Sequence, residues 1–324
     1  MEDKIKFLDC YSQEEVHKLP KYIQEIIEDV YVTGKQRKSL ILPNGERYYI
    51  GNKLNDLTGK KWTYFTNSVI NTAYSTTGKD NCGFKFRKIH PSPKPPSLLK
   101  EIIEFFTKEN ELVLDYYSGV GGTLLACSMS NRQCIGIELN PIYVEAYKNA
   151  SNSMGYEPQK CFIGNNEDIF HTKEFISCFE TKKAKLILID PPYFNMMAKE
   201  KTGEDIKKYG TNGTPFTNSI FDIGNMCEED FWDSLVRTIS YSLNFLENNG
   251  HIVAFIKDMQ PKGKNNNLLH AKMIEKLTAI DSIYYLGLKI WADQTAKLFP
   301  YGYPFEFVAT QIHQYILIFK KHEK

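Results

Sequence analysis

The seven cysteines of this 324-residue chain, at positions 10, 82, 127, 134, 161, 178 and 227, include no CxxC pair, and their number is odd. Both facts speak against a disulfide framework and against a cysteine zinc cluster, so no metal is expected. None of the cysteines follows a proline, so the Pro-Cys nucleophile of cytosine-C5 methylation is missing. No apolar run approaches the roughly 20 residues of a membrane span, and no signal-type N-terminus is present. The expectation is a cytoplasmic protein without a membrane partner. Charge of one sign is also lacking. Forty basic and 39 acidic residues leave a net +1, so any affinity for nucleic acid must come from local patches. Internal repeats and low-complexity segments are absent, and 42% hydrophobic with 24% charged residues is an ordinary globular composition. The length suits one large domain with an appendage.

What is present divides in two. Residues 1–90 predict a small α+β appendage, with a helix from Lys21 to Tyr31 behind Pro20. A hairpin follows, from Leu40-Ile41-Leu42 across Asn44-Gly45 to Tyr48-Tyr49-Ile50. Residues 91–324 predict alternating helices and strands. The expected helices are 97–107, one from Thr123, one from Pro141, 229–246 and 268–279. The expected strands are 111–115, 134–138, 160–163, 185–189, 251–257, 283–290 and 314–320. A loop of about thirty residues, 195–226, interrupts the alternation, and a loop that long is usually functional.

The tetrapeptide Asp190-Pro191-Pro192-Tyr193 follows the apolar run Leu186–Ile189, where a strand of a parallel sheet ends at its active edge. Methylation of an exocyclic amine needs this set. The amine lone pair is delocalised into the base, and a carboxylate and a proline carbonyl accepting its two N–H bonds localise it while the tyrosine ring stacks on the base. A second constellation lies upstream. The strand 112–115 runs into Tyr117-Ser118-Gly119-Val120-Gly121-Gly122-Thr123, a glycine turn at a helix start that lets a ligand lie against bare backbone. The next strand ends in Glu138, at the spacing that places a carboxylate on a ribose diol. Leu124 replaces the third glycine of a dehydrogenase fingerprint, and the tetrapeptide has no role in hydride transfer.

With these residues in place, the sequence resembles the DNA amino-methyltransferases. The run from Asp115 to Thr123 looks like their motif I, Asp190–Tyr193 like their catalytic motif IV, and His90-Pro91-Ser92-Pro93-Lys94-Pro95 like the motif X that precedes motif I in many of them. The resemblance implies a Rossmann-like class I methyltransferase fold, α/β with a mostly parallel seven-stranded sheet and an antiparallel last strand. It also implies S-adenosylmethionine as cofactor, held by Lys94, Asp115, Tyr117, Ser118, Gly119, Gly121, Gly122, Thr123, Glu138 and Asn165. Asn165 stands where an aspartate near the cofactor adenine is common, and an amide still hydrogen-bonds there. Asp190, Pro191, Pro192 and Tyr193 are the implied catalytic residues, with Tyr193 and Phe194 against a flipped base.

The implied substrate is adenine N6 in double-stranded DNA, because members acting on cytosine N4 more often have serine where this chain has Asp190. The alternatives are a cytosine-N4 enzyme, an RNA amino-methyltransferase, and a non-catalytic DNA-binding subunit of a modification complex. The stretch from Gly122 to Asp190 is too short for an inserted recognition domain, so recognition falls after Tyr193, in residues 1–90, or on a second subunit. Lys85, Arg87, Lys88, Lys94 and Lys100 form an acid-free basic stretch that suits phosphate contact. The loop 195–226 carries Lys199, Lys201, Lys207 and Lys208, as expected of a lid ordered by DNA. Lys257-Asp258 fits either the border of the cleft or a surface turn. Trp291, Phe305 and His313 could face the flipped base, but core packing is the first reading for each.

Overall fold

The computed structural model describes residues 4–75, 77, 81–194, 215–261 and 265–322, which build two sheets. The first has four antiparallel strands in sequence order: β1 (Ile5–Lys6), β2 (Tyr31–Thr33), β3 (Ser39–Ile41) and β4 (Arg47–Tyr49). The expected hairpin is β3–β4, turned at Gly45 with φ 80° and braced by the Glu46 N–H donating to Asn44 Oδ1 at 2.9 Å. Phe7, Ile23, Val32, Leu40 and Tyr48 bury its inner face. The helix expected from Lys21 to Tyr31 is shorter, spanning Lys21–Gln24 before a 3-10 turn at Ile27–Asp29. The run Val30-Tyr31-Val32 is β-branched and aromatic, and it pairs with Ile41 and Leu40 instead of continuing a helix.

The second sheet has eight strands rather than the seven expected. They are β5 (Val69–Thr72), β6 (Leu112–Asp115), β7 (Gln133–Glu138), β8 (Lys160–Ile163), β9 (Ala184–Ile189), β10 (Leu246–Ile256), β11 (Ile283–Asp293) and β12 (His313–Lys321), in the order β5-β11-β12-β10-β9-β6-β7-β8. All neighbours are parallel except β12, which runs antiparallel between β10 and β11. The extra strand is β5, from the segment counted with the appendage. Leu54, Leu57, Trp62, Phe65 and Ile70 pack in the same cluster as Leu98 and Ile102, so the segment after β4 lies with the large sheet.

Strands buried on both faces carry apolar residues at every position. In β9, Leu186 and Leu188 face one layer while Ile187 and Ile189 face the other. The first layer holds the helices Pro96–Phe106, Gly122–Ser128 and Pro141–Ser153. The second holds Glu228–Ser242 and Leu269–Thr278. The parallel strands point their carboxyl ends at one edge, and every motif singled out in the sequence ends there. Among the described residues no helix is long and apolar enough to cross a membrane, and no group of three or more His, Cys, Asp or Glu is placed to hold a metal ion.

Candidate active site

β6 ends in Asp115, which is buried and organises the glycine turn. Its Oδ1 accepts the Tyr117 N–H at 3.0 Å, and its carbonyl accepts Ser118 Oγ at 2.7 Å. The Ser118 N–H donates to Ile137 O at 3.0 Å, tying the turn to β7. Burial pushes the Asp115 carboxyl up to about 7, opposed by hydrogen bonds from Thr123 and the Tyr117 N–H. Gly121, at φ 72°, is required twice over, since a Cβ there would lie 2.1 Å from the Tyr147 ring. At Gly122 a Cβ would press to 3.2 Å from the Lys94 carbonyl oxygen. Both glycines let the turn lie against neighbouring elements.

Glu138, at the end of β7, is clasped by backbone donors: the Gly119 N–H reaches Oε2 at 2.6 Å and the Asn140 N–H reaches Oε1 at 2.8 Å. Burial pushes this carboxyl up to about 7 against those two donors. Beyond β8, Asn166 Nδ2 donates to Tyr116 O at 3.3 Å, and Asn165 Nδ2 donates to Asp168 at 3.2 Å. These residues open onto a cleft of about 320 Å³, lined also by Tyr117, Asp190, Pro191, Pro192 and Tyr193. Ser118, Gly122 and Thr123 line an adjoining recess of about 50 Å³ that shares Lys94, Gly119 and Asp190 with the cleft. Gly121 lines neither and acts through its conformation.

Of one wall, the sequence named only His90, within the motif X run. His90 stacks on Phe216 (centroids 4.9 Å apart) and meets Tyr143 edge-on at 4.8 Å. Burial, with Lys94 and Arg87 nearby, lowers the His90 imidazole to about 3, so it is neutral. Phe216 O accepts from Asn140 Nδ2 and the Tyr143 hydroxyl, each at 3.3 Å. Asp222 folds the segment back on itself, Oδ2 accepting from Thr217 N–H and Oγ1 at 3.0 Å and Oδ1 from Gly224 N–H at 2.9 Å. Residues 215–226, expected to belong to a lid, form this wall. Lys199, Lys201, Lys207 and Lys208 lie outside the described residues. The segment has no hydrophobic period, and only the Asp222-x-Gly224 turn chemistry marks it.

Asp190 follows β9 with its side chain 25% exposed, and its Oδ2 lies 2.5 Å from Lys94 Nζ. Lys94 was expected to serve the cofactor; its ammonium is instead engaged by Asp190. Tyr193 lines the cleft beside Asp190. Phe194, expected against the base, is turned into the core 5.5 Å from the Phe231 ring and does not line the cleft; having no polar handle, it fills space before the helix Glu228–Ser242. Arg87, expected at a phosphate, is buried, its Nε donating to Val120 O at 3.1 Å and its Nη2 to Lys94 O at 2.5 Å. Burial lowers its guanidinium to about 10.

On the far side of the cleft, Lys257 Nζ donates to Gln311 O at 2.7 Å, and Asp258 accepts from His270 Nδ1 at 2.8 Å. Trp291 is structural as expected, donating to Thr72 Oγ1 at 3.0 Å. His313 starts β12 with its ring 5.2 Å from that of Tyr315. Phe305 is not a core residue: it is 92% exposed, in a loop where Phe299, Tyr301, Tyr303 and Phe307 are exposed as well.

A glycine turn after the first parallel strand, a carboxylate after the second, carboxamides after the third and Asp-Pro-Pro-Tyr after the fourth all face one cleft. Glu138 keeps lone pairs beyond the two that hold backbone N–H groups, which suits a ribose diol. Asn165 and Asn166 suit a purine edge, and the neutral His90 adds no repulsion toward a sulfonium. The strand order, with one antiparallel strand near the end of the chain, is that of the class I methyltransferase fold. Residues 10–149 match the N6/N4 methyltransferase family, described as DNA methylase. The type II methyltransferase M.HindIII of Haemophilus influenzae is 42% identical over 78 residues, 24% of each chain. The putative methylase YubD of Escherichia coli K12 is 42% identical over 69 residues, 21% of this chain and 30% of that one. Among solved structures, TrmN from Thermus thermophilus shows 12% identity and a TM-score of 0.44 over 74% of this chain and 52% of that one. The matched stretches span 24% and 30% of the two curated relatives. Over these stretches the chain is similar to the N6/N4 amino-methyltransferases.

Proposed function

We propose that this chain transfers a methyl group from S-adenosylmethionine to the N6 amine of an adenine extruded from duplex DNA. The observation that carries the reading is Asp190-Pro191-Pro192-Tyr193 at the carboxyl end of β9, lining the cleft with the Asp190 carboxylate partly open to it. The family match and the names of the relatives support DNA as the substrate. Adenine is favoured over cytosine by the acid at position 190, following the resemblance.

When bound, S-adenosylmethionine supplies an electrophilic methyl group on a sulfonium. Gly119, Glu138, Asn165 and Asn166 are the residues placed to hold it. Asp190 and the Pro191 carbonyl accept the two amine N–H bonds, which keeps the nitrogen lone pair out of the ring, and Tyr193 provides the stacking face. A carboxylate already engaged by Lys94 does not take a proton from a neutral aromatic amine; the proton leaves after the new N–C bond has made the nitrogen cationic. The exposed rings of Tyr303, Phe305 and Phe307 suit stacking on nucleobases, and their loop is rooted at the rim through Lys257 on Gln311 and Gln260 on Ala309. Sequence choice is assigned to the residues after Tyr193, the four-stranded sheet or a second subunit. Transfer of tritiated methyl to duplex DNA, with structured RNA assayed in parallel, tests the reading: label in DNA that is lost in Asp190→Asn supports it, and label in RNA alone contradicts it.

A further inference from the structure

We infer that Lys94 is the positioning residue for Asp190 and not a ligand of the cofactor, an inference that rests on the amine-methyltransferase reading above. The two residues are 96 positions apart in sequence, yet Nζ and Oδ2 meet at 2.5 Å. The pair is shielded on one side and open on the other, with the lysine side chain 9% exposed and the aspartate side chain 25%. A charge-assisted hydrogen bond in such a shielded place is short and directional.

Lys94 is itself fixed at both ends. Its carbonyl accepts from the buried Arg87, which also holds the Val120 carbonyl of the glycine turn, and Gly122 offers no Cβ to keep the segment away. Its ammonium lies 5.2 Å from the centroid of the Phe255 ring, within cation–π range. A lysine so constrained leaves Asp190 little rotational freedom. One carboxylate oxygen is taken by the ammonium; among the described residues the other, Oδ1, accepts no hydrogen bond and is left for the amine of the base. The second lysine of the cleft, Lys257, is engaged on Gln311 O and does not compete for Asp190.

This arrangement separates two roles. A cofactor ligand lost by mutation weakens cofactor binding, whereas a positioning residue lost by mutation lowers kcat and leaves binding alone. The test uses Lys94→Met and Lys94→Cys in the full chain, with wild-type protein as control. The expected result is a fall in kcat of about 100-fold, with KM for duplex DNA and the calorimetric Kd for S-adenosylmethionine changed by less than about threefold. Alkylating Lys94→Cys with 2-bromoethylamine rebuilds an ammonium of lysine length. It should restore at least about tenfold of the lost rate, while the same treatment leaves wild type and Lys94→Met unimproved. A cofactor affinity that falls as far as kcat overturns the inference, as does wild-type turnover in Lys94→Met or a failure of alkylation to restore rate. If the wild-type chain methylates no DNA, the functional reading fails separately; calorimetry on Lys94→Met then still decides, unchanged cofactor affinity agreeing with the inference and lost affinity overturning it.

Discussion

Two carboxyls at the cleft, Asp115 and Glu138, are disfavoured as anions by burial. Each is pushed by burial to about 7, from ordinary values of 3.8 and 4.5. At these two groups the folded chain retains protons that the unfolded chain releases, so their contribution to stability is greatest below about pH 4 and is lost as pH rises toward 7, while the lowered His90 imidazole acts in the opposite sense as pH falls. Asp115→Asn should remove its share of that loss, a slope of at most about 1.4 kcal/mol per pH unit. Urea unfolding of the cofactor-free protein at a series of pH values checks this, and equal slopes in variant and wild type would refute it. Glu138→Ala should weaken S-adenosylmethionine binding by about 1.5–3 kcal/mol, the range for hydrogen bonds to a charged group. It also releases the Gly119 and Asn140 N–H groups, so calorimetry must be read beside a melting curve. Unchanged affinity would remove Glu138 from the ribose.

Residues whose placement follows from position along a strand were legible: Asp115, Glu138 and Asp190 each lie at the end of a buried apolar run, and that pattern is local. The pairing of Lys94 with Asp190 was not, because it depends on how two segments far apart in sequence meet across the sheet. Arg87 misled for a related reason. Its neighbours Lys85 and Lys88 read as a basic patch, but the short helix Phe84–Arg87 turns Arg87 alone inward.

At the level of elements, alternation of buried strands and amphipathic helices located the strands and helices of the large sheet from β6 onward. Errors arose where tertiary partners decide. β5 is short, half exposed and not apolar throughout, and it exists because β11 offers it an edge. The helix expected over 229–246 ends at Ser242, since Leu246 is drawn into β10 beside Ala184 of β9. Among the described residues, the loop between β11 and β12 gathers several highly exposed aromatic rings, with Tyr303 80%, Phe305 92% and Phe307 92% exposed. If this loop stacks on bases at the cleft rim, Phe305→Ser with Phe307→Ser should weaken duplex binding by about 1–3 kcal/mol per lost stack while leaving the melting temperature unchanged. Fluorescence anisotropy with a labelled duplex reads the effect. Undiminished affinity would assign the loop to another contact.

As a whole molecule, the chain joins an eight-stranded sheet, whose carboxyl edge gathers all the motifs, to a four-stranded sheet none of whose strand residues lines the cleft. On the proposed function, that division leaves methyl transfer and sequence choice physically separable. Whether Asp190 and its neighbours methylate adenine N6 is read most directly by nucleoside mass spectrometry of DNA from cells expressing the chain, beside cells expressing Asp190→Ala. The expected result is N6-methyladenine with the wild type and none with the variant, while the purified variant still binds S-adenosylmethionine. N4-methylcytosine in its place, or N6-methyladenine persisting in Asp190→Ala, would contradict it.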